Sequence, residues 1–215
     1  MKHFIRDTFV LFVITLISGA LLGFVNELTK DPIAQYEANK KSAACSEVFY
    51  EEDENGELCE VVSLQFESVE EDELLWLNES VKASGKDNIV IDEVYRAYLV
   101  GDKNFYGYVI GVTTKEGYNG DISFYVGITE DGKVKGVSLL NIAETPGLGM
   151  NAEAVLLPQF RNINIEQFRV VKTGAKDSNE IDAISGATVT SDAITEGVNA
   201  ACICYTLWQE GGDAE

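Results

Sequence analysis

Between Thr8 and Val25 the chain carries no charged residue: T-F-V-L-F-V-I-T-L-I-S-G-A-L-L-G-F-V. As a helix, eighteen residues rise about 27 Å, close to the ~30 Å of hydrocarbon in a bilayer. Lipid offers backbone groups no partner, so such a segment is expected to fold as one transmembrane helix. Ser18-Gly19-Ala20 supports a competing reading, the small-x-small site of a cleaved signal peptide. The apolar run continues through Leu21, Leu22, Phe24 and Val25, which argues for a retained anchor. Lys2 and Arg6 precede the run and Lys30, Lys40 and Lys41 follow it, so the cation count leaves its orientation open.

Beyond the anchor, the 215-residue chain has room for one globular domain. Its net charge of −20 excludes nucleic acid as an expected partner, because phosphate binding needs a basic footprint. The charge is unevenly spread. Ser42 to Val81 holds thirteen acids and no Lys or Arg, which reads as a solvated surface or as a face repelled by anionic lipid. His3 is the only histidine and precedes the apolar run. That argues against a Ser-His-Asp hydrolase, a His-ligated haem and most catalytic zinc sites. The cysteines are Cys45, Cys59, Cys202 and Cys204, with no C-x-x-C pair. Cys202 and Cys204 lie two apart in a helical stretch and point about 200° from each other, so no shared metal is expected. Either a Cys45–Cys59 disulfide or unpaired small core residues would fit the other two.

Asp31-Pro32 has the form of a helix start, with Asp at the N-cap and Pro at the first helical position. A stalk helix is expected from there to about Phe49. Asn55-Gly56 marks a hairpin-type turn, and Glu70 to Lys82 reads as a helix with Leu74, Leu77 and Val81 on one face. From Ile89 the character changes. The runs 89–100, 105–113, 122–129 and 134–141 are rich in Val, Ile, Tyr and Phe, and turn residues separate them. They predict a meander of antiparallel strands, with Phe168 to Lys172 adding one more. A last helix is expected from about Asp192 to Trp208. The fold class is therefore α+β: an antiparallel sheet packed with helices, preceded by one N-terminal transmembrane helix. The expected division is an anchor at 1–26, a helical stalk and acidic segment at 27–88, and a sheet domain at 89–210.

Two strings stand out. Asp182-Ala183-Ile184-Ser185-Gly186-Ala187-Thr188 runs into Val189-Thr190-Ser191-Asp192 and then a helix. Taken alone it is a small-residue turn whose Thr190 or Ser191 caps that helix. Glu144-Thr145-Pro146-Gly147-Leu148-Gly149 is a rigid turn whose backbone can lie against a flat ring. Together they resemble the two hallmarks of the FMN-binding domain family, in particular the G subunit of the Rnf electron-transport complex. The C subunit of the sodium-pumping NADH:quinone reductase is similar too. Thr29 to Ala34, Gly117-Tyr118-Asn119-Gly120 and Asp131 to Val134 extend the likeness.

The resemblance implies a covalent FMN whose phosphate is esterified to Thr188, with Thr190 the rival acceptor. It implies a flavin site drawn from Asp182, Ser185, Gly186, Ala187, Thr190, Glu144, Thr145, Pro146, Gly147, Leu148 and Gly149. No catalytic residue and no metal ligand is implied. The residues suit this chemistry. Glu180 to Ala200 holds no Lys or Arg, so a free flavin phosphate would be poorly held. An ester removes one phosphate charge and cannot dissociate. Gly186 and Ala187 leave room for the ligand and the modifying enzyme. The following helix N-terminus favours an anion. The family often has a histidine shortly before Glu144, whereas this chain has Asn141-Ile142-Ala143. By the same resemblance the protein is a single-pass component of a cell-membrane ion-translocating oxidoreductase. Its N-terminus would be cytoplasmic and its flavin domain extracytoplasmic. Its partners would be the other membrane subunits and an FAD-dependent flavin transferase. No G-x-G-x-x-G follows a strand, so NAD binding is not expected here. Two alternatives stand beside this: the C subunit of the quinone reductase, and an anchored sensor or assembly module without cofactor.

Overall fold

The computed structural model describes residues 2–211 apart from 102 and 166, with side chains from Arg6 to Gln209. The side chain of His3 lies outside the described residues. The chain forms two compact units, one ending at Ser42 and one beginning at Ala43.

The first unit is helical. Helix α1 runs without interruption over Lys2–Glu47, with Pro32 inside it. The expected helix start at Asp31-Pro32 is therefore corrected. Pro32 removes one backbone bond and costs about 3 kcal/mol. Ending the helix there would orphan four carbonyls and four amides and demand a new nucleus. The stretch from Arg6 is apolar and long enough to cross a bilayer, and none of its most apolar window is buried inside the fold.

The second unit is built on a six-stranded antiparallel sheet. The acidic segment first forms a small hairpin, β1 (Glu51–Glu52) with β2 (Leu58–Cys59), closed by a turn with Gly56 at φ +80°. Then come β3 (Leu64–Ser68), α2 (Glu71–Ala83), β4 (Ile89–Leu99), β5 (Phe105–Thr114), β6 (Ile122–Thr129) and β7 (Lys133–Asn141). Two 3-10 turns flank a one-turn helix α3 (Ala152–Val155), and β8 (Ile163–Asn164) follows. The strands pair in chain order, β3-β4-β5-β6-β7-β8. Strand β3, inside the acidic segment, is an addition to the expected meander. The Phe168–Lys172 run does not join that meander. Its strand β9 (Arg169–Val171) pairs in parallel with β10 (Glu180–Asp182) in a separate two-stranded sheet. The last helix, α4, spans Thr188–Gly211 and starts four residues before the expected Asp192.

Each sheet face has its own core. One holds Phe124, Val126, Ile110 and Val112 under α2 and α4, whose Leu77, Ile194 and Val198 are fully buried. The other holds Tyr125, Val109 and Ala97 under Ala44, Cys45, Val48 and Phe49. Gly127 and Gly136 face each other across β6 and β7. A Cβ on Gly127 would lie 2.6 Å from Val48 Cγ2, and one on Gly136 2.8 Å from the Val48 carbonyl. The glycine pair is the dent that seats Val48. No disulfide joins Cys45, which is buried, to exposed Cys59, so of the two readings the structure has the unpaired one, with Cys59 outside the core.

Candidate functional site

The first turn of α4 explains why the helix begins early. Thr188, Val189 and Thr190 are β-branched and poor helix formers. Ser191 fixes the start instead. Its buried hydroxyl accepts the Ile184 N–H at 3.0 Å and donates to the Ala187 carbonyl at 3.0 Å. The first intrahelical backbone bond runs from Ser191 N–H to that same carbonyl. Ser191 is thus inside the helix rather than its cap, and so is Thr190. Gly186, at φ +78°, makes the reversal that feeds the helix. The amides of Thr188, Val189 and Thr190 sit in the first turn, where no upstream helical carbonyl can accept them.

The Glu144–Gly149 loop meets this turn. Gly147 takes φ +77°, as the turn requires. Gly149 serves close approach: a Cβ there would lie 2.7 Å from Thr190 Oγ1 and 2.8 Å from Glu144 Cβ. A third loop closes the group. Asn119 donates its backbone N–H to Glu144 Oε1 at 3.3 Å and its side-chain amide to the Ala143 carbonyl at 2.8 Å.

These three loops enclose a cleft of about 520 Å³, a size that suits small molecules and cofactors. Glu144, Thr145, Leu148, Gly149, Gly186, Ala187, Thr188 and Thr190 line it, together with Tyr118 and Val189. Eight expected site residues are brought together. Asp182, Ser185, Pro146 and Gly147 are not among the lining residues. Asp182 accepts the Ala175 N–H at 3.0 Å and exchanges backbone bonds with the Gln159 side chain, which holds the loop before the motif. Tyr118 and Val189 join the site without having been expected there, although Tyr118 belongs to the Gly-Tyr-Asn-Gly string. An exposed aromatic between two glycines is the signal that could have found it.

The two threonines differ. Thr188 is exposed in the cleft, and its hydroxyl makes no side-chain hydrogen bond among the described residues. Thr190 is 1% exposed, with its hydroxyl against Gly149. Among the described residues, Glu144 is the only carboxylate lining the cleft, and no Lys or Arg does so.

The FMN-binding domain family profile matches residues 117–202, which contain the whole cleft, and the RnfG N-terminal region profile matches 1–48. Over 202 residues the chain is 31% identical to the G subunit of the Na(+)-translocating ferredoxin:NAD(+) oxidoreductase complex of Acetobacterium woodii, covering 91% of this chain and 88% of that protein. The chain belongs to the RnfG family. The G subunit of the proton-translocating ferredoxin:NAD(+) oxidoreductase complex of Clostridium ljungdahlii is 42% identical over 105 residues, 48% of this chain and 56% of that one. The RnfG relative from Shewanella piezotolerans, part of an ion-translocating oxidoreductase complex, is 25% identical over 95% of this chain and 90% of its own length. Among solved structures, Shewanella oneidensis NqrC is similar at TM-score 0.46 and 23% identity, over 54% of this chain and 60% of that one.

Proposed function

We propose that this RnfG-family protein is the electron carrier of a membrane-bound, ion-translocating ferredoxin:NAD+ oxidoreductase complex, with FMN held through a phosphodiester to Thr188. In this reading residues 1–26 are the anchor, 27–88 the stalk and acidic segment, and 89–210 the flavin domain. The N-terminus is cytoplasmic and the flavin domain extracytoplasmic.

The observation that carries the reading is the meeting of both motifs around the Thr188 hydroxyl in a cleft that, among the described residues, no Lys or Arg lines. Size and donor chemistry fit FMN. The amides of the first α4 turn favour a singly charged phosphodiester, by about 0.3–1 kcal/mol. Leu148, Val189 and Tyr118 offer apolar surface to a flat ring. A free phosphate near −2 would find no guanidinium or ammonium there. An ester is the chemical way to keep the group. FAD is the balanced donor: the Thr188 Oγ–P bond forms, the pyrophosphate P–O bond breaks, AMP leaves, and the hydroxyl proton is lost. That exchange needs a separate flavin transferase. FMN, once bound, would supply one- and two-electron chemistry; the cleft residues of this chain would position it and set its electrostatic surroundings. Alone, the chain completes no reaction. Its partners are the membrane subunits that hand electrons on.

Intact mass and in-gel fluorescence after denaturation test the tether. Wild type should carry one FMN phosphodiester adduct that survives denaturation. Thr188→Val should weigh only its polypeptide, and Thr190→Val should keep the adduct. A flavin retained on Thr188→Val would sink the assignment. Bare wild-type chain from a host with the transferase would favour the cofactor-free module.

A further inference from the structure

Away from the flavin cleft, the two best-buried cations of the sheet unit come together. Lys135 lies on β7 and is 9% exposed. The Arg161 side chain, after the turn that ends at Phe160, is 15% exposed. Asn162 follows at φ +58°, a backbone state uncommon outside glycine. Lys135, Arg161 and Asn162 line an open polar cleft of about 470 Å³ with Pro158 and the hairpin residues Glu51 and Glu52.

We propose that Lys135 and Arg161 form a binding site for a phosphate-type oxyanion, which the β1–β2 hairpin closes by laying Glu51 and Glu52 on the two cations. Buried cations need partners. Here the hairpin supplies them: Lys135 Nζ meets Glu51 Oε1 at 2.5 Å, and an Arg161 terminal nitrogen meets Glu52 Oε1 at 3.5 Å. The second contact is long and single, and Arg161 Nε–H is buried with no acceptor. A guanidinium is built for two-pronged recognition of a tetrahedral or planar oxyanion, so this one is under-used. The adjoining cavity across Arg161 brings Glu47 and Glu153, so an added anion sits on the Lys135 side.

The hairpin is suited to lifting. Its strands are two residues long, and a lone two-stranded hairpin is barely stable. Its turn bonds, Asp53 N–H to Glu57 and Gly56 N–H to Asp53, are internal. Among the described residues, its side-chain ion pairs to the sheet are the two named. An oxyanion that satisfies both cations replaces those carboxylates and frees the hairpin. None of this depends on the flavin reading.

Cys59 sits on β2 and is the one exposed cysteine, which makes it a native handle. Full-length protein in detergent, spin-labelled at Cys59, should show a mobile spectrum on titration with inorganic phosphate and not with sodium chloride of equal ionic strength. Lys135→Gln/Arg161→Gln should lose the saturable response. Should that variant not fold, Glu51→Gln/Glu52→Gln decides. It should be mobile without phosphate and bind phosphate about tenfold more tightly, since its internal competitor is gone. Nanodiscs of phosphatidylglycerol, compared with phosphatidylcholine in phosphate-free buffer, separate the sources. Release by phosphatidylglycerol discs assigns the group to a lipid headgroup, and release by soluble phosphate assigns it to a free ion. The proposal is overturned if phosphate and chloride act alike and neither disc frees the hairpin. It is equally overturned if the glutamine pair at 51 and 52 leaves phosphate affinity unchanged.

Discussion

Single side chains decide the chemistry at the cleft. Gly149 has no room for a methyl group, with Thr190 Oγ1 and Glu144 Cβ at 2.7 and 2.8 Å from where it would sit. Gly149→Ala should cost about 1–3 kcal/mol by overpacking. On the proposed tether it should also lower the fraction of chains that gain the flavin mass, because it pushes the Glu144 loop off the α4 turn. Thermal melting and intact mass on one preparation check both effects. Ser191→Ala should act alike without touching the cleft. It leaves the Ile184 N–H unpaired in a buried place, at about 1–3 kcal/mol. The thiols give a pH test. Burial pushes the Cys202 and Cys204 thiols up to about 12. The thiolate is the nucleophile, so both stay protonated and inert at pH 8, and Cys45 is buried as well. An aromatic disulfide reagent should therefore titrate one fast thiol, Cys59, in native protein and four after denaturation. Two or more fast thiols would contradict the burial of Cys45 or of the two α4 cysteines.

Among elements, the four long strands of the meander were legible because alternation and turn residues agreed along each. The rest was hidden for identifiable reasons. Leu64 and Phe66 alternate inward on β3, but the acids around them mask so short a run. Pro32 reads as punctuation, yet a helix already running loses only one bond there. The α4 start looked like loop because Thr188, Val189 and Thr190 have weak helix propensity, and only the Ser191 hydroxyl, folded back on Ile184, overrides it. The parallel pairing of β9 with β10 spans a gap too short for a usual crossover, so nothing local announces it. The two cleft strings were readable in the sequence, whereas Tyr118 joins them only through the Asn119–Glu144 contact in three dimensions. The glycine pair on β6 and β7 makes an element-scale test. Gly127→Ala should destabilise by about 1–3 kcal/mol, since its Cβ meets Val48. Val48→Ala opens a cavity by itself. The double variant should lose less stability than the two singles added, and strict additivity in denaturant titration would refute the dent.

For the whole molecule, a formal charge of −20 on 215 residues sets a standing self-repulsion. Sodium chloride between about 10 mM and 150 mM shrinks the Debye length from ~30 Å to ~8 Å. Melting of the detergent-solubilised protein should rise over that range, by several degrees if screening relieves about 1 kcal/mol. A melting temperature that falls with salt would mean that the ion pairs, Arg96–Glu73 and Lys135–Glu51 among them, outweigh the repulsion. The order of parts along the chain carries a further consequence. All six strands of the sheet precede α4, yet α4 supplies Ala193, Ile194, Val198, Ala201, Cys204 and Trp208 to the core that closes one sheet face. A nascent polypeptide therefore has that face covered only by α2 until the ribosome has delivered the segment that opens with Thr188. The helix that completes the barrier to water is also the one that opens on Thr188, so on the proposed tether a flavin-loading enzyme that recognises the folded cleft meets no half-made substrate.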